Sequence, residues 1–254
     1  MITTKKLSVQ KKISHGFFNK HGGKSTGIYK SLNCGPGSKD QKNKIEENLK
    51  IVKKKFSKKK IKNIFLLHQF HSNKFIFINK DFKATKKRIK ADAIITDQKK
   101  LPIGILTADC APILLYDYRK DMIAAIHAGW KGAYKGIIVK VINFMIKNGC
   151  KKKYIIAAIG PCIKQKSYNV GKNFKKKFLK KDIKNKIFFK NRKKNIHFDL
   201  TNFIKTQLKS SKITKIDTVN IDTFIKKNNF FSARRSLRSN HDDYGRNISL
   251  IMIN

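Results

Sequence analysis

Two apolar runs, "PILLYD" and "MIAAIHA", stand on either side of "YRKD". Runs of this length and composition read as buried strands, and the polar tetrapeptide as the turn of a hairpin. "YIIAAIG" adds another buried strand and "KFIFIN" an alternating one. "NIFLLHQFH" is β-rich, and "TVNIDTF" and "NISLIMI" close the chain as strands. Ile137, Ile138, Val141, Ile142, Met145 and Ile146 recur at helical spacing, with Gly149 as the stop. "DLTNFIKTQLKSS" reads as a capped amphipathic helix. No linker or internal repeat divides the chain, so residues 1–254 are expected to form one domain mixing α and β structure.

The ends of these runs carry the chemistry. His71 ends "LLHQFH", Cys110 follows "IGILTAD", and His127 ends "IAAIH". Two imidazoles and a thiolate are ligands that suit zinc, and three protein ligands leave a fourth position open, as catalytic sites do. The separations are too long for a local finger, so the fold must bring the three together. Asp109, beside Cys110, is a carboxylate at the edge of an apolar run, placed for proton transfer. In "HAGWKG" glycines flank Trp130 and Lys131, which lets backbone approach a ligand with the indole as a wall. His68, three residues before His71, is left out of the ligand set because a regular strand turns it to the other face.

Composition narrows the classes. Lys plus Arg number 60 against 15 acids, a formal charge of +45. A nucleic-acid binder is the first thought. Yet the cations are spread from end to end, and Lys, Ile and Asn are inflated together, as in chains encoded by AT-rich DNA. The charge is therefore read as composition, with weak, salt-sensitive polyanion binding as its consequence and no specific nucleic-acid partner. Four dispersed cysteines, no signal-like start and no run long enough for a membrane span lead to the expectation of a cytoplasmic location. Seven dispersed histidines without an HxH pair do not suit a multicopper oxidase.

The motifs "SHGFFNKHGGKSTGIYKSLNCG", "LHQFHS", "ADAIITD", "TADCAPILLYD", "IAAIHAGWKGAYKGI", "IGPCIKQKSYNVG", "FDL" and "FFSARRS…DYGRNISLIMI" occur in the order seen in the YfiH-type laccase-domain family. The chain resembles that family from about His15 to its C-terminus. The resemblance implies an α+β fold, a single-domain, four-layer αββα sandwich with mixed sheets. It implies zinc, with copper as the other option, held by His71, Cys110 and His127. Members were first described as polyphenol oxidases and are now understood as purine nucleoside phosphorylases, acting on adenosine, inosine, guanosine or methylthioadenosine, with adenosine deaminase activity. Purine nucleosides and phosphate are then the partners, and the chain a monomer or homodimer. Asp109 and Cys110 become the catalytic pair, and Trp130, Lys131, Arg234, Arg235 and Arg246 the substrate-binding set. Arginines kept together in a lysine-rich chain suit phosphate or ribose. Lys131 stands where the family has arginine, which exchanges a fork for a point charge. A copper-dependent polyphenol oxidase and a basic nucleic-acid-binding protein are the alternatives.

Overall fold

The computed structural model describes residues 1–59, 61–83, 87–192 and 194–254. The hairpin forms as read. Ala111–Asp117 and Met122–Ala128 pair antiparallel, with Asp117 opposite Met122 and Pro112 opposite His127. Every residue of both strands is buried. A strand buried on both faces needs a layer on each side, and the chain supplies two different ones.

The hairpin lies at the centre of a six-stranded mixed sheet. Its order is Lys215–Thr218, Ile155–Ile159, Ala111–Asp117, Met122–Ala128, Ala93–Thr96, Phe75–Ile78, parallel only in the outermost pair at each edge. Alternation sorts its side chains. Ile113, Leu115, Ala124 and Ile126 face the helices Ile137–Lys147 and Leu200–Ser210. Leu114, Tyr116, Ile123 and Ala125 face a second, four-stranded sheet. That sheet runs Ile13–Phe17, Asn247–Ile253, Ile103–Thr107, Phe65–Leu66. Its far side packs on the helix Lys42–Phe56 through Leu250, Met252, Val52 and Phe56. The layers are helix, sheet, sheet, helix, so the mixed α+β sandwich expectation holds. Each fully buried Ile or Leu at these interfaces contributes roughly 1.5–3 kcal/mol. Among the described residues, no helix is long and apolar enough to cross a membrane.

Two strand assignments shift. The "TVNIDTF" strand moves upstream to Lys215–Thr218. Val219 makes the last bond to the neighbouring strand, at Ile159. Beyond it the pairing breaks and resumes only as a single bridge of Asp222 with Cys162, while the Asp222 and Thr223 side chains turn to Lys164, Ser167 and Asp109. "NIFLLHQFH" forms a strand only at Phe65–Leu66. The Gln69 side chain takes over the pairing from there. Its amide donates to Leu106 O (2.7 Å) and accepts from Leu106 N (2.8 Å), which frees the backbone to turn into a loop at His71. The helix Leu200–Ser210 is capped by Asp199, which accepts from Asn202 N.

Candidate metal centre and cleft

Hairpin register explains why Cys110 and His127 meet. Cys110 lies just before one strand and His127 near the end of the other, at the open end of the same ladder. His71 arrives from the loop after Phe65–Leu66 with φ of 61°, and Asp109 turns the chain into Cys110 with φ of 82°. The Cys110 Sγ lies 3.6 Å from His71 Nε2, and the two imidazole centroids are 4.8 Å apart. All three donor atoms fall within 4.8 Å of one another. Gly129 makes room: a β-carbon there would stand 2.7 Å from Cys110 Sγ and 3.0 Å from His71 Cδ2.

Asp92, which sequence reasoning passed over, holds this arrangement. It is fully buried. Its carboxylate accepts from the backbone N–H of His71 (3.0 Å) and Ser72 (2.6 Å), from Ser72 Oγ (2.6 Å), and from His127 Nδ1 (2.8 Å). Burial pushes its pKa up, but the bonds from His127 and Ser72 outweigh this and hold it at about 2. The bond at Nδ1 fixes the His127 tautomer and turns Nε2 toward Cys110, the outer-sphere arrangement that metal-ligating histidines use. Burial raises the Cys110 thiol, yet the neighbouring His127 and His71 bring it below its ordinary value. Burial lowers His127, and Cys110 and Asp92 more than reverse that. A thiolate and two oriented imidazoles around one point fit zinc, whose bonds run about 2.0–2.3 Å. The signal for Asp92 was present in "ADAIITD", an acid at the mouth of an apolar strand, as at Asp109.

Two of the candidate ligands, His71 and Cys110, line both lobes of a cleft, and His127 lines one of them. One lobe, ≈ 270 Å³, is the more polar: His68, Gln69, Arg88, Thr107 and Arg246 line it together with all three candidate ligands, beside Leu67 and Leu106. The other, ≈ 200 Å³, is mainly apolar: Trp130, Ile163, Tyr168, Leu200 and Leu237 line it beside His71 and Cys110. Leu237 is 57% exposed there.

The other sequence-derived site residues divide among these places. Asp109 lines the apolar lobe, buried, and accepts from Arg234 N (2.7 Å), Thr223 Oγ1 (2.7 Å) and Ser232 Oγ (2.8 Å). Burial raises its pKa, and these bonds only partly offset that. Trp130 walls the apolar lobe, backed by Phe174. Arg234 reaches the same lobe over the Tyr168 ring, 5.3 Å from its centroid. Arg246 lies across the cleft in the polar lobe. Lys131 and Arg235 line neither lobe. Lys131 is exposed, 5.8 Å over the Trp130 ring. Arg235 donates to the carbonyls of Thr223, Phe224 and Phe230. His68 is not part of the donor cluster, but it lines the polar lobe together with His71, so it does not turn to the other face as a regular strand would have placed it.

Comparison with known proteins bears on this cleft. The sequence model of the family described as multi-copper polyphenol oxidoreductase laccase matches residues 14–254, and the chain belongs to that family. A purine nucleoside phosphorylase of Bacteroides thetaiotaomicron is 31% identical over 265 residues, spanning 100% of this chain and 96% of its own. One from Rickettsia prowazekii is 37% identical over 179 residues, 70% of this chain and 72% of its own. The crystal structure of the Bacillus licheniformis hypothetical protein YfiH superposes with a TM-score of 0.87 at 26% identity, covering 95% of this chain and 93% of that one.

Proposed function

We propose that this chain is a zinc-dependent purine nucleoside phosphorylase that also deaminates adenosine. The observation that carries the reading is a three-ligand metal set beside a cationic lobe and an aromatic lobe. The names of the relatives support the phosphorylase half. Adenosine, inosine, guanosine and methylthioadenosine are the candidate substrates, with the purine against Trp130 and Tyr168 and the ribose toward the metal. In phosphorolysis a phosphate oxygen bonds to the anomeric carbon while the glycosidic bond to the purine nitrogen breaks. The electron pair leaves with the base, which takes up a proton.

His71, Cys110 and His127 would hold the zinc. When bound, it supplies a Lewis acid that polarises substrate or water. The chain's own contributions are Asp92, which orients two ligands, Asp109, assigned to proton handling beside Cys110, and the aromatic wall, which excludes water. Residues 1–254 act as one catalytic domain, monomeric or dimeric, and four free cysteines suit a cytoplasmic location. Copper at the same ligands would give an adventitious oxidase: among the described residues this is the one cluster with metal-binding spacing, too few for multicopper chemistry.

The test is metal analysis of the purified chain, with adenosine, inosine and methylthioadenosine supplied with and without phosphate. Free purine and ribose 1-phosphate are expected only with phosphate, and inosine from adenosine without it. Base release that ignores phosphate would overturn the phosphorylase reading.

A further inference from the structure

The polar lobe carries two guanidinium groups, Arg88 and Arg246, and no carboxylate among its lining residues. That is a selective use of a scarce residue. Only seven of the 60 basic side chains in the sequence are arginine, and two of them converge on the cavity that holds the metal ligands. Arg246 shares one nitrogen with Asp243, which lies outside the lining, while Arg88 has no carboxylate partner among the described residues; forked, always-charged donors of this kind suit a tetrahedral oxyanion.

Local structure prepares both groups. The "SLNCG" segment holds Arg246: Asn33 Oδ1 accepts from its N–H at 2.9 Å, and Cys34 N donates to its carbonyl at 3.1 Å. A β-carbon on Gly35 would stand 2.2 Å from Arg246 Cδ, so glycine is what lets the side chain lie there. Nη1 is fixed by Asp243 (3.2 Å) and the Tyr244 carbonyl (2.7 Å). Nη2 and Nε make no hydrogen bond among the described residues. Across the lobe, Arg88 has one long bond, Nη1 to Leu67 O at 3.4 Å, and no ion pair among the described residues. Burial partly desolvates its guanidinium, and it has no carboxylate partner among the described residues. Such a group gains when an anion arrives.

We infer that this lobe is the phosphate subsite, with the oxyanion gripped between Arg88 and Arg246, beside His71, Cys110 and His127. The assignment rests on the phosphorylase reading for the identity of the anion, and on the cavity itself for its existence. It moves the anion clamp away from the Arg234–Arg235 helix end.

The test is calorimetric titration of the zinc-loaded full chain with inorganic phosphate, in enough chloride to screen the overall positive charge. One phosphate per chain is expected. Arg88→Ala and Arg246→Ala should each weaken it roughly tenfold or more. Arg88→Lys should recover only part, because a point charge replaces the fork. Arg119→Ala, in the hairpin turn outside the cleft, should change nothing. Zinc content and circular dichroism check folding; should Arg246→Ala unfold, Arg88→Ala carries the test. No uptake by the wild-type chain, or uptake indifferent to both arginines, overturns the subsite. Arg88-dependent binding of adenosine 5′-monophosphate without binding of free phosphate also overturns it, in favour of a nucleotide's phosphate. Failure of the functional reading looks different: phosphate binds at Arg88, yet no nucleoside is cleaved.

Discussion

Asp92 and His127 are joined by a 2.8 Å hydrogen bond from Nδ1 to a fully buried carboxylate, and the same carboxylate accepts the backbone N–H of His71. One acid therefore sets the approach of two ligands that lie 56 residues apart in sequence. Asp92→Asn presents an amide N–H₂ to at least one of these donors. Zinc affinity, measured by chelator competition, should fall about 10- to 100-fold. Unchanged affinity in a folded variant would reduce Asp92 to a strand-end cap.

The ligands themselves give the coarser experiment. Cys110→Ala, His71→Ala or His127→Ala should drop bound zinc well below one per chain by elemental analysis, since a three-ligand site rarely survives the loss of one. Cys34, Cys150 and Cys162 are buried away from the cluster and should be dispensable for metal. Full occupancy in Cys110→Ala would remove the thiolate from the ligand set.

Asp109 has a different dependence on its neighbours. Its carboxylate meets three donors, one of them the backbone of Arg234 in the helix Ala233–Arg238. Asp109→Asn turns an N–H₂ toward at least one of these donors. The cost should be roughly 1–3 kcal/mol of stability, together with loss of both phosphorolysis and deamination. Zinc should stay bound. Denaturant melts and metal analysis on one preparation separate these effects, and wild-type turnover by the Asn variant would end the proton-handling assignment.

What the sequence made legible follows from which interactions are local. The hairpin, the helix at 137–147 and its Gly149 stop are written in short-range periodicity and turn chemistry. The His71, Cys110 and His127 trio, which the fold brings within 4.8 Å as a candidate metal site, could be picked out because each member breaks an apolar run. Asp92 and Gln69 were not singled out, since their roles depend on a loop folding back over a sheet edge from another part of the chain. Arg88 was hidden by its setting: inside "KKRIK" it looks like one more solvated cation, and only the tertiary structure turns it into the cleft. The arginines at 234, 235 and 246, grouped by sequence as one set, go to three different places for the same reason.

Arg235 shows what that separation costs or gains. Its guanidinium closes the 223–230 loop through three carbonyls and lines neither lobe. Arg235→Ala leaves those acceptors without a charged donor and should destabilise the chain by about 2–4 kcal/mol. KM for phosphate should move much less than in Arg88→Ala. A thermal melt beside a phosphate titration distinguishes a loop fastener from a clamp.

His15 supplies the pH prediction. It is buried, and its Nε2 accepts the backbone N–H of Thr4 at 2.9 Å, pinning the N-terminal segment to the sheet. Burial lowers its pKa to about 4, against a weaker opposing pull from Asp217. The neutral ring is therefore favoured in the folded state. An unfolded histidine takes up its proton near pH 6.5, so between pH 6.5 and 4 the unfolded chain binds more protons than the folded one. The stabilisation is complete above that window and is lost as pH falls through it, by roughly 3 kcal/mol in total. His15→Gln can still accept from Thr4 N but cannot titrate. Its melting temperature should decline less than the wild type's between pH 7 and 5, measured on paired samples in one buffer series. Parallel declines would mean that other groups carry the acid sensitivity and that His15 takes up its proton equally in the folded and unfolded states.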